Sequence, residues 1–343
     1  MTALGTTMRA TRSRVVGTGM YVPENVVTND DLAKQIDTSD EWIVKRSGIR
    51  ERRWVVEGQT PVDLAEAASR EALADAGLEA SDIDCILLST LSPQHDFPGT
   101  SFFLHGRLGV AEIPCIDLRA QCSGFLYALD FADALIVSGR HRRILVVGCE
   151  VHSTGLEISD RGRDVTVLFG DGAGAVILEA NDAPEDPSGL LEIRLHAEGR
   201  HAKRLWVDAP GSANGPARLT HEMIDEGRIY PIMDGRFVFK HAVTRMPEVL
   251  RETLDAASLK LEDVDLFLFH QANLRINEYV AQQLEIPADK VFNNIERYGN
   301  CSAAAIPMLL AEAKREGRLK KGDLVSMTAF GSGFTWASAL LRF

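Results

Sequence analysis

Apolar and polar positions along the chain follow one programme, and they follow it twice. Residues 73–84, "LADAGLEASDID", read as the end of an amphipathic helix, a short turn and an aspartate pair, and residues 254–265, "LDAASLKLEDVD", read the same way. An apolar run of strand length follows each, "CILLST" at 85–90 and "LFLFHQ" at 266–271. Helical patterns come next, "SFFLHGRLG" and "INEYVAQQLE", then short strands at 115–120 ("CIDLRA") and 291–296 ("VFNNIE"). A second helix then opens in each half. "SGFLYALDFADALIVSG" is apolar nearly all round, which predicts a buried helix stopped by Gly139. "SAAAIPMLLAEAKREG" has Pro307 near its start and Gly317 past its end. Each half closes on a strand, 144–150 and 324–333.

Strands alternating with helices predict an α/β protein. A repeat separated by about half the chain predicts two similar α/β halves packed together, each with a buried helix starting at a "CS" step, Cys122-Ser123 and Cys301-Ser302. The N-terminal half takes 1–180 and the C-terminal half 236–343. Residues 181–235, rich in Gly, Pro and charge ("NDAPEDPSG", "APGSANGPAR"), fit neither and read as a loop-rich connection crossing the surface.

Composition narrows the function classes. A chain of 343 residues, 45% hydrophobic, suits one large domain or two fused halves. A net charge of −12 argues against generic binding to nucleic acid or to an anionic membrane. The apolar segment nearest to a membrane span, 124–139, is interrupted by Asp130 and Asp133. The first residues, "MTALGTTMRATRSRV", show no apolar signal core. Five cysteines, odd in number and without CxxC spacing, argue against a disulfide framework or a zinc site and point to reduced thiols in a cytoplasmic protein.

Three positions carry candidate chemistry. Cys122 follows a strand and opens the buried helix, and a helix N-terminus draws a thiol pKa below its ordinary value of about 8.5. Its other reading is a small apolar filler. His270 ends the strand 266–271 within "FHQAN", followed by the polar Gln271 and Asn273, at the strand end where α/β folds place their sites. A hydrogen-bonded structural histidine is the alternative. Asn300 in "RYGNCSAAAIP" sits in a turn, beside the position that the repeat matches to Cys122. "FGDGAGA" (169–175) and "FGSGF" (330–334) lack the spacing of phosphate-binding loops and read as tight turns bringing backbone amides near a site.

"QCSGF" around Cys122, "HQAN" at 270–273, "YGN" at 298–300 and "FGSGFTWASALLRF" at 330–343 occur in one order, with "TSDEWIVKRSGIRER" (38–52) and "FGDGAGA". Together they resemble the β-ketoacyl-acyl-carrier-protein synthase III family of the thiolase-like superfamily, from about residue 14 to the C-terminus. The resemblance implies a thiolase-like fold, two duplicated α/β halves in five αβαβα layers, and a homodimer. It implies that Cys122 takes an acyl group from an acyl-CoA and condenses it with malonyl-acyl-carrier protein, with His270 and Asn300 as the other catalytic positions. The amides of Cys122 and Ser332 would form the oxyanion hole. Trp42 and Arg46 match the positions that hold the CoA adenine, and Arg161, Phe239 and Arg275 match others along the tunnel. Phe330 falls in the acyl pocket, and Phe97 matches the residue that reaches into the partner subunit's pocket and limits primer length. Lys240, Arg251 and Arg275 would flank the tunnel mouth and dock the acidic carrier protein. No metal or cofactor is implied beyond the two thioester substrates. Cys301 falls where the family has a small polar residue, which makes it a bystander.

Three departures from the family pattern stand out. Gly331-Ser332-Gly333 replaces three glycines, Gln121 replaces an alanine before the nucleophile, and the stretch 185–230 is long. Its Leu205, Trp206 and Val207 line an enlarged channel or anchor the loop. That length motivates an alternative, a related acyltransferase of another pathway with a longer or unusual starter. A non-catalytic acyl-CoA-binding protein has no use for the complete Cys122, His270 and Asn300 set.

Overall fold

Two sheets carry the fold, and both are laid out in the same strand order. The computed structural model describes residues 12–343; of the N-terminal stretch read above, residues 1–11 lie outside the described residues. The first sheet contains β1 (Arg12–Tyr21), β2 (Cys85–Ser89), β3 (Cys115–Leu118), β4 (Arg143–Glu150) and β5 (Gly172–Asn181), in spatial order β1-β5-β4-β2-β3. The second contains β6 (Gly189–Ala197), β7 (Leu266–Phe269), β8 (Leu324–Gly331) and β9 (Thr335–Arg342), in order β6-β9-β8-β7. Pairing is antiparallel from β1 through β5 to β4 and parallel from β4 through β2 to β3. The second sheet repeats this, antiparallel from β6 through β9 to β8 and parallel from β8 to β7.

Helices fill three layers around the sheets. Helix α1 (Asp40–Ser47) belongs to an N-terminal excursion near the site. On the outer face of the first sheet lie α2 (Pro61–Ala76) and α3 (Thr100–Leu108), whose Leu64, Ala68 and Leu104 bury against Leu88, Val147 and Ile177. Between the sheets lie α4 (Gly124–Val137) and, from the other half, the helix Ala305–Arg315. Phe125, Leu129 and Ile136 share one core with Ile306, Leu309 and Leu310 and with Val146, Val176, Met327 and Ala339 of the two inner sheet faces. That core explains why the α4 sequence is apolar on nearly every side. On the outer face of the second sheet, α5 (Gly235–Ala257) and α6 (Leu274–Gln283) bury Met246, Leu250, Ile276 and Val280 against Phe267 and Leu340. The helix Ala305–Arg315 is α7. The result is the five-layer αβαβα arrangement. Among the described residues no helix is long and apolar enough to cross a membrane.

Four sequence expectations require correction. The segment 181–235 is not wholly a connection: β6 is the edge strand of the second sheet, so the C-terminal half begins at Gly189 and not at 236. Ile193 and Leu195 of β6 pack on the central core, alternating with Glu192, Arg194 and His196. That period-two signal is masked by the loop residues on either side. Residues 291–296 do not form a strand. Val291 makes one parallel bridge to Phe267, and Ile295–Tyr298 is a single helical turn. The amides of Asn294 and Ile295 donate to the Gln271 side-chain oxygen instead of to a ladder.

"GAGA" at 172–175 is the start of β5, not a tight turn. A Cβ on Gly174 would meet the Met308 amide at 2.5 Å and Pro307 Cβ at 2.8 Å, so the glycine lets β5 lie against α7. The "CS" steps, finally, are out of register. The turn Gln121–Ser123 leads into α4 and the turn Ser302–Ala304 leads into α7. Matching the turns pairs Cys122 with Ala303, and Cys301 with Ala120. The first residue of each turn has positive φ, +46° at Gln121 and +44° at Ser302.

Candidate active site

Cys122 sits where the two halves meet. It is 7% exposed, and its sulfur lies 3.3 Å from the hydroxyl of Ser302 in the matching turn of the other half. The backbone amides of Cys122 and Ser332 also act on that sulfur, each lowering its pKa. The Ser332 amide reaches it because Gly331 has no side chain: a Cβ there would lie 2.7 Å from Cys122 Cβ. Ser332 itself is held by its hydroxyl, which donates to the Leu205 carbonyl. The sequence expectation of a thiol pKa drawn down by the helix start is reversed. Burial pushes the Cys122 thiol up to about 11, and the Ser302 hydroxyl and the two amides offset only part of it. Desolvation outweighs the helix terminus because the sulfur is shut away from water.

His270 follows β7 directly, its amide donating to the Thr328 carbonyl at 2.8 Å. The ring is 2% exposed and neither nitrogen has a partner. Burial lowers its pKa to about 3, so the imidazole is neutral at physiological pH and has a donor to give. Asn300 is pinned at both backbone ends, its amide to the Leu168 carbonyl at 2.8 Å and its carbonyl to the Gly170 amide at 3.1 Å. Its side-chain oxygen accepts from the Ser302 amide at 2.9 Å, which leaves the NH2 as the group to offer.

Cys122, His270 and Asn300 line a single cavity of about 780 Å³, together with Trp42, Arg46, Phe239, Arg275 and Phe330. Its lining carries three arginines, Arg46, Arg236 and Arg275, against two aspartates, Asp164 and Asp234, in a protein of net charge −12. Two guanidinium groups lie over the Trp42 ring, Arg46 at 4.6 Å and Arg163 at 4.9 Å from its centroid. Arg275 is already engaged, donating to the carbonyls of Val44 and Lys45 at the end of α1 and pairing with Glu278 at 2.8 Å.

Other expected site residues fall outside the cavity lining. Arg161 is one: it pairs with Glu157 at 2.7 Å and donates to the Glu226 carbonyl. Lys240 is exposed on α5, directly after the cavity-lining Phe239, whereas Arg251 lies eleven residues further along the helix, about 16 Å away by helical rise. Neither Lys240 nor Arg251 is among the lining residues. Phe97 is 85% exposed and does not line this chain's cavity. Of the long segment, Leu205 lines the cavity, Trp206 pairs with Ile232 in a small two-stranded sheet, and Val207 is exposed. Cys301 is buried away from the cavity, its thiol donating to the Tyr298 carbonyl.

Sequence reasoning missed Ser302, Arg236, Arg163 and Glu150. The first had a signal, since it follows Asn300 by two residues in the matched turn. Arg163 and Arg236 lie outside the motifs. Glu150 ends β4 fully buried, accepting from the amides of Leu91, Ser92 and Ala303 and from the Ser92 hydroxyl. Burial raises its pKa to about 7, and it adds to the upward pressure on the Cys122 thiol.

Comparison with known proteins agrees with this geometry. Two family models match, 3-oxoacyl-[acyl-carrier-protein] synthase III over residues 116–199 and the C-terminal part of the same synthase over 254–343. The chain is 46% identical over 328 residues to the β-ketoacyl-[acyl-carrier-protein] synthase III of Roseiflexus castenholzii, covering 96% of this chain and 97% of that one. It is 44% identical to the enzyme of the same name from Bradyrhizobium diazoefficiens, over 98% of this chain and all of that one. The crystal structure of 3-oxoacyl-[acyl-carrier-protein] synthase III from Aquifex aeolicus superposes with a TM-score of 0.87 at 45% identity, covering 96% of this chain and all of that one. The shared strand order, the site at the junction of the halves and these full-length similarities lead to one statement: the chain belongs to the β-ketoacyl-acyl-carrier-protein synthase III family.

Proposed function

We propose that this chain joins an acyl-CoA primer to malonyl-acyl-carrier protein, releasing CO2 and initiating fatty-acid synthesis, with Cys122, His270 and Asn300 dividing the two half-reactions. The observation that carries this reading is that a buried thiol, an imidazole with both nitrogens open and an amide fixed through its oxygen line one cavity. In the first half-reaction the Cys122 thiolate attacks the primer's thioester carbonyl. The amides of Cys122 and Ser332 hold the oxyanion, the C–S bond to CoA breaks, and CoA takes up the proton that the thiol shed. In the second, the bond from the malonyl carbon to its carboxylate breaks and CO2 leaves with the electron pair kept as an enolate. Neutral His270 and the Asn300 NH2 donate to the enolate oxygen as charge develops there. The enolate carbon attacks the acyl-cysteine and Cys122 leaves as thiolate. Decarboxylation supplies the carbanion, so no general base is required, and neither half-reaction calls for a redox cofactor.

The lining arginines Arg46, Arg236 and Arg275 suit a CoA phosphate chain, with Trp42 for the adenine. Lys240, exposed directly after the cavity-lining Phe239, suits an acidic carrier protein. A homodimer is part of the same reading: β3 is a sheet edge with Ile116 44% exposed, and Phe97 stands out 85% exposed. Cavity-lining Leu205, from the long segment, favours the alternative starter of unusual length as a second reading. Following the enzyme's mass and CO2 release as acyl-CoA and then malonyl-carrier protein are added tests both. Acylation followed by deacylation with CO2 is expected; acylation without CO2 would point to another acceptor.

A further inference from the structure

Leu205 and Met233 both line the cavity that holds Cys122, and they are paired in the antiparallel two-stranded sheet of Leu205–Trp206 and Ile232–Met233. That sheet belongs to neither of the two large ones. Its flanks are open to solvent, with Val207 and Ile232 each 48% exposed. The excursion between its strands, 207–231, is held in part by ion pairs near the surface, Arg228 to Asp208 at 2.6 Å and Arg218 to Asp96 at 2.8 Å. Exposed pairs of this kind contribute little. The Asp234 amide donates to the Arg204 carbonyl at 2.8 Å, a bond within the same unit. Upstream, the chain is fixed at Glu198, which exchanges backbone hydrogen bonds with Phe334 at 2.7 and 3.0 Å, seven residues before Leu205. Ser332 ties the unit in closer to the chemistry. Its hydroxyl donates to the Leu205 carbonyl, while its amide acts on the Cys122 sulfur. A glycine at 332 would supply the amide and no hydroxyl.

We propose that the Ser332 side chain is a positioning residue for acyl-CoA: its hydroxyl holds the sheet of Leu205 and Met233 in place as a cavity wall before the substrate arrives. The hydroxyl itself does not touch the substrate. The contact is made by Leu205 and Met233, which line the cavity. A wall already ordered in the free enzyme loses little freedom when acyl-CoA binds, whereas a loose wall must be ordered at that moment, which lowers affinity. A wall meets the bound substrate before and during attack alike, so loosening it raises KM more than it lowers the limiting rate. Disturbing the Ser332 amide would do the reverse, because the oxyanion forms only as the thioester is attacked. The two functions of Ser332 are therefore separable by kinetics.

The inference rests on the reading of Cys122 as the acylated residue, and its test separates the two. The unaltered full-length protein, Ser332→Ala and Ser332→Thr are compared by the rate of acetyl gain on Cys122 over a range of acetyl-CoA concentrations. Ser332→Ala is expected to raise the KM of acylation about fivefold, the size of one neutral hydrogen bond, with a smaller loss in limiting rate. Ser332→Thr keeps a hydroxyl and is expected to restore most of the KM. Hydrogen exchange without substrate gives a readout independent of activity. Peptides covering 204–207 and 231–234 should exchange faster in Ser332→Ala than in the unaltered protein. An unchanged KM in Ser332→Ala overturns the inference, and so does a fall in limiting rate at constant KM, which would assign the hydroxyl to the oxyanion amide instead. Unchanged exchange over both peptides overturns it too, with no active variant needed. Absence of an acyl adduct on Cys122 of the unaltered protein would instead defeat the reading beneath it.

Discussion

Ser302 places its hydroxyl 3.3 Å from the Cys122 sulfur while its amide holds the side-chain oxygen of Asn300 at 2.9 Å. One residue therefore joins the acylation centre to an enolate donor. It does so from the turn that matches the nucleophile's own, with the same positive φ in the first position. Ser302→Ala removes the hydroxyl and keeps the amide. The hydroxyl lowers the Cys122 pKa, so its loss raises that pKa further. Acylation should slow by about tenfold, the effect of roughly one hydrogen bond to a charged group, while decarboxylation by the acylated enzyme is spared. Stopped-flow acylation and CO2 release measured separately would show the split. Equal losses in both would assign Ser302 a purely structural role.

The pH dependence of acylation follows from burial. A folded thiol pKa of about 11 leaves little thiolate at neutral pH, and the thiolate fraction grows as pH rises. Below the pKa, acylation should climb about tenfold per pH unit between pH 6 and 9. A plateau already reached at pH 7 would mean that the thiol is activated by something beyond the Ser302 hydroxyl and the two amides. His270, neutral down to about pH 3, should impose no inflection near pH 6.5 on decarboxylation.

Much of this site was legible in the chain, for reasons that differ by residue. Cys122, His270 and Asn300 sit at strand ends or in turns, where the period of the pattern breaks and polar residues interrupt apolar runs. Ser332 was reached through the glycines around it. What escaped was set by tertiary contact. The thiol pKa depends on how completely both halves enclose the sulfur, which no local pattern records. Strand β6 has a clear alternation, but it lies between loops whose composition dominates any window. The "CS" steps agree by coincidence of letters; the turns that superpose are offset by two residues.

Removing an enolate donor should separate the half-reactions. His270→Ala and Asn300→Ala are expected to accept an acyl group on Cys122 and to lose roughly 100- to 1000-fold in decarboxylation. Both side chains are buried, so circular dichroism and thermal melting belong beside the kinetics. Normal CO2 release from malonyl-carrier protein by either variant would remove that residue from the enolate site.

Carrier-protein docking is tested best away from Arg275, whose guanidinium closes the end of α1 through Val44 and Lys45. Lys240→Glu alters only an exposed side chain. It should raise the KM for malonyl-carrier protein severalfold at low salt, with a smaller effect at high salt, and leave acylation by acyl-CoA unchanged. An unchanged KM at low salt would take Lys240 out of the docking surface.

Phe97 is exposed, and in the homodimer proposed above it is the wall of the partner's acyl pocket. Length discrimination by an apolar pocket is about 1–3 kcal/mol per methylene, so a sharp limit needs a steric stop. Phe97→Ala should lengthen the chain accepted from a panel of two to about fourteen carbons, in the way expected when a wall is removed. The same upper length in both proteins would place the limit elsewhere, with Leu205 the next candidate.

The most direct measurement is peptide mapping of the intact protein after exposure to acyl-CoA. The acyl mass should appear on the peptide containing Cys122 and not on that containing Cys301; it should be absent from Cys122→Ala and fully retained in Cys301→Ser. An acyl group on Cys301, or condensation activity surviving in Cys122→Ala, would contradict the assignment of Cys122 as the nucleophile.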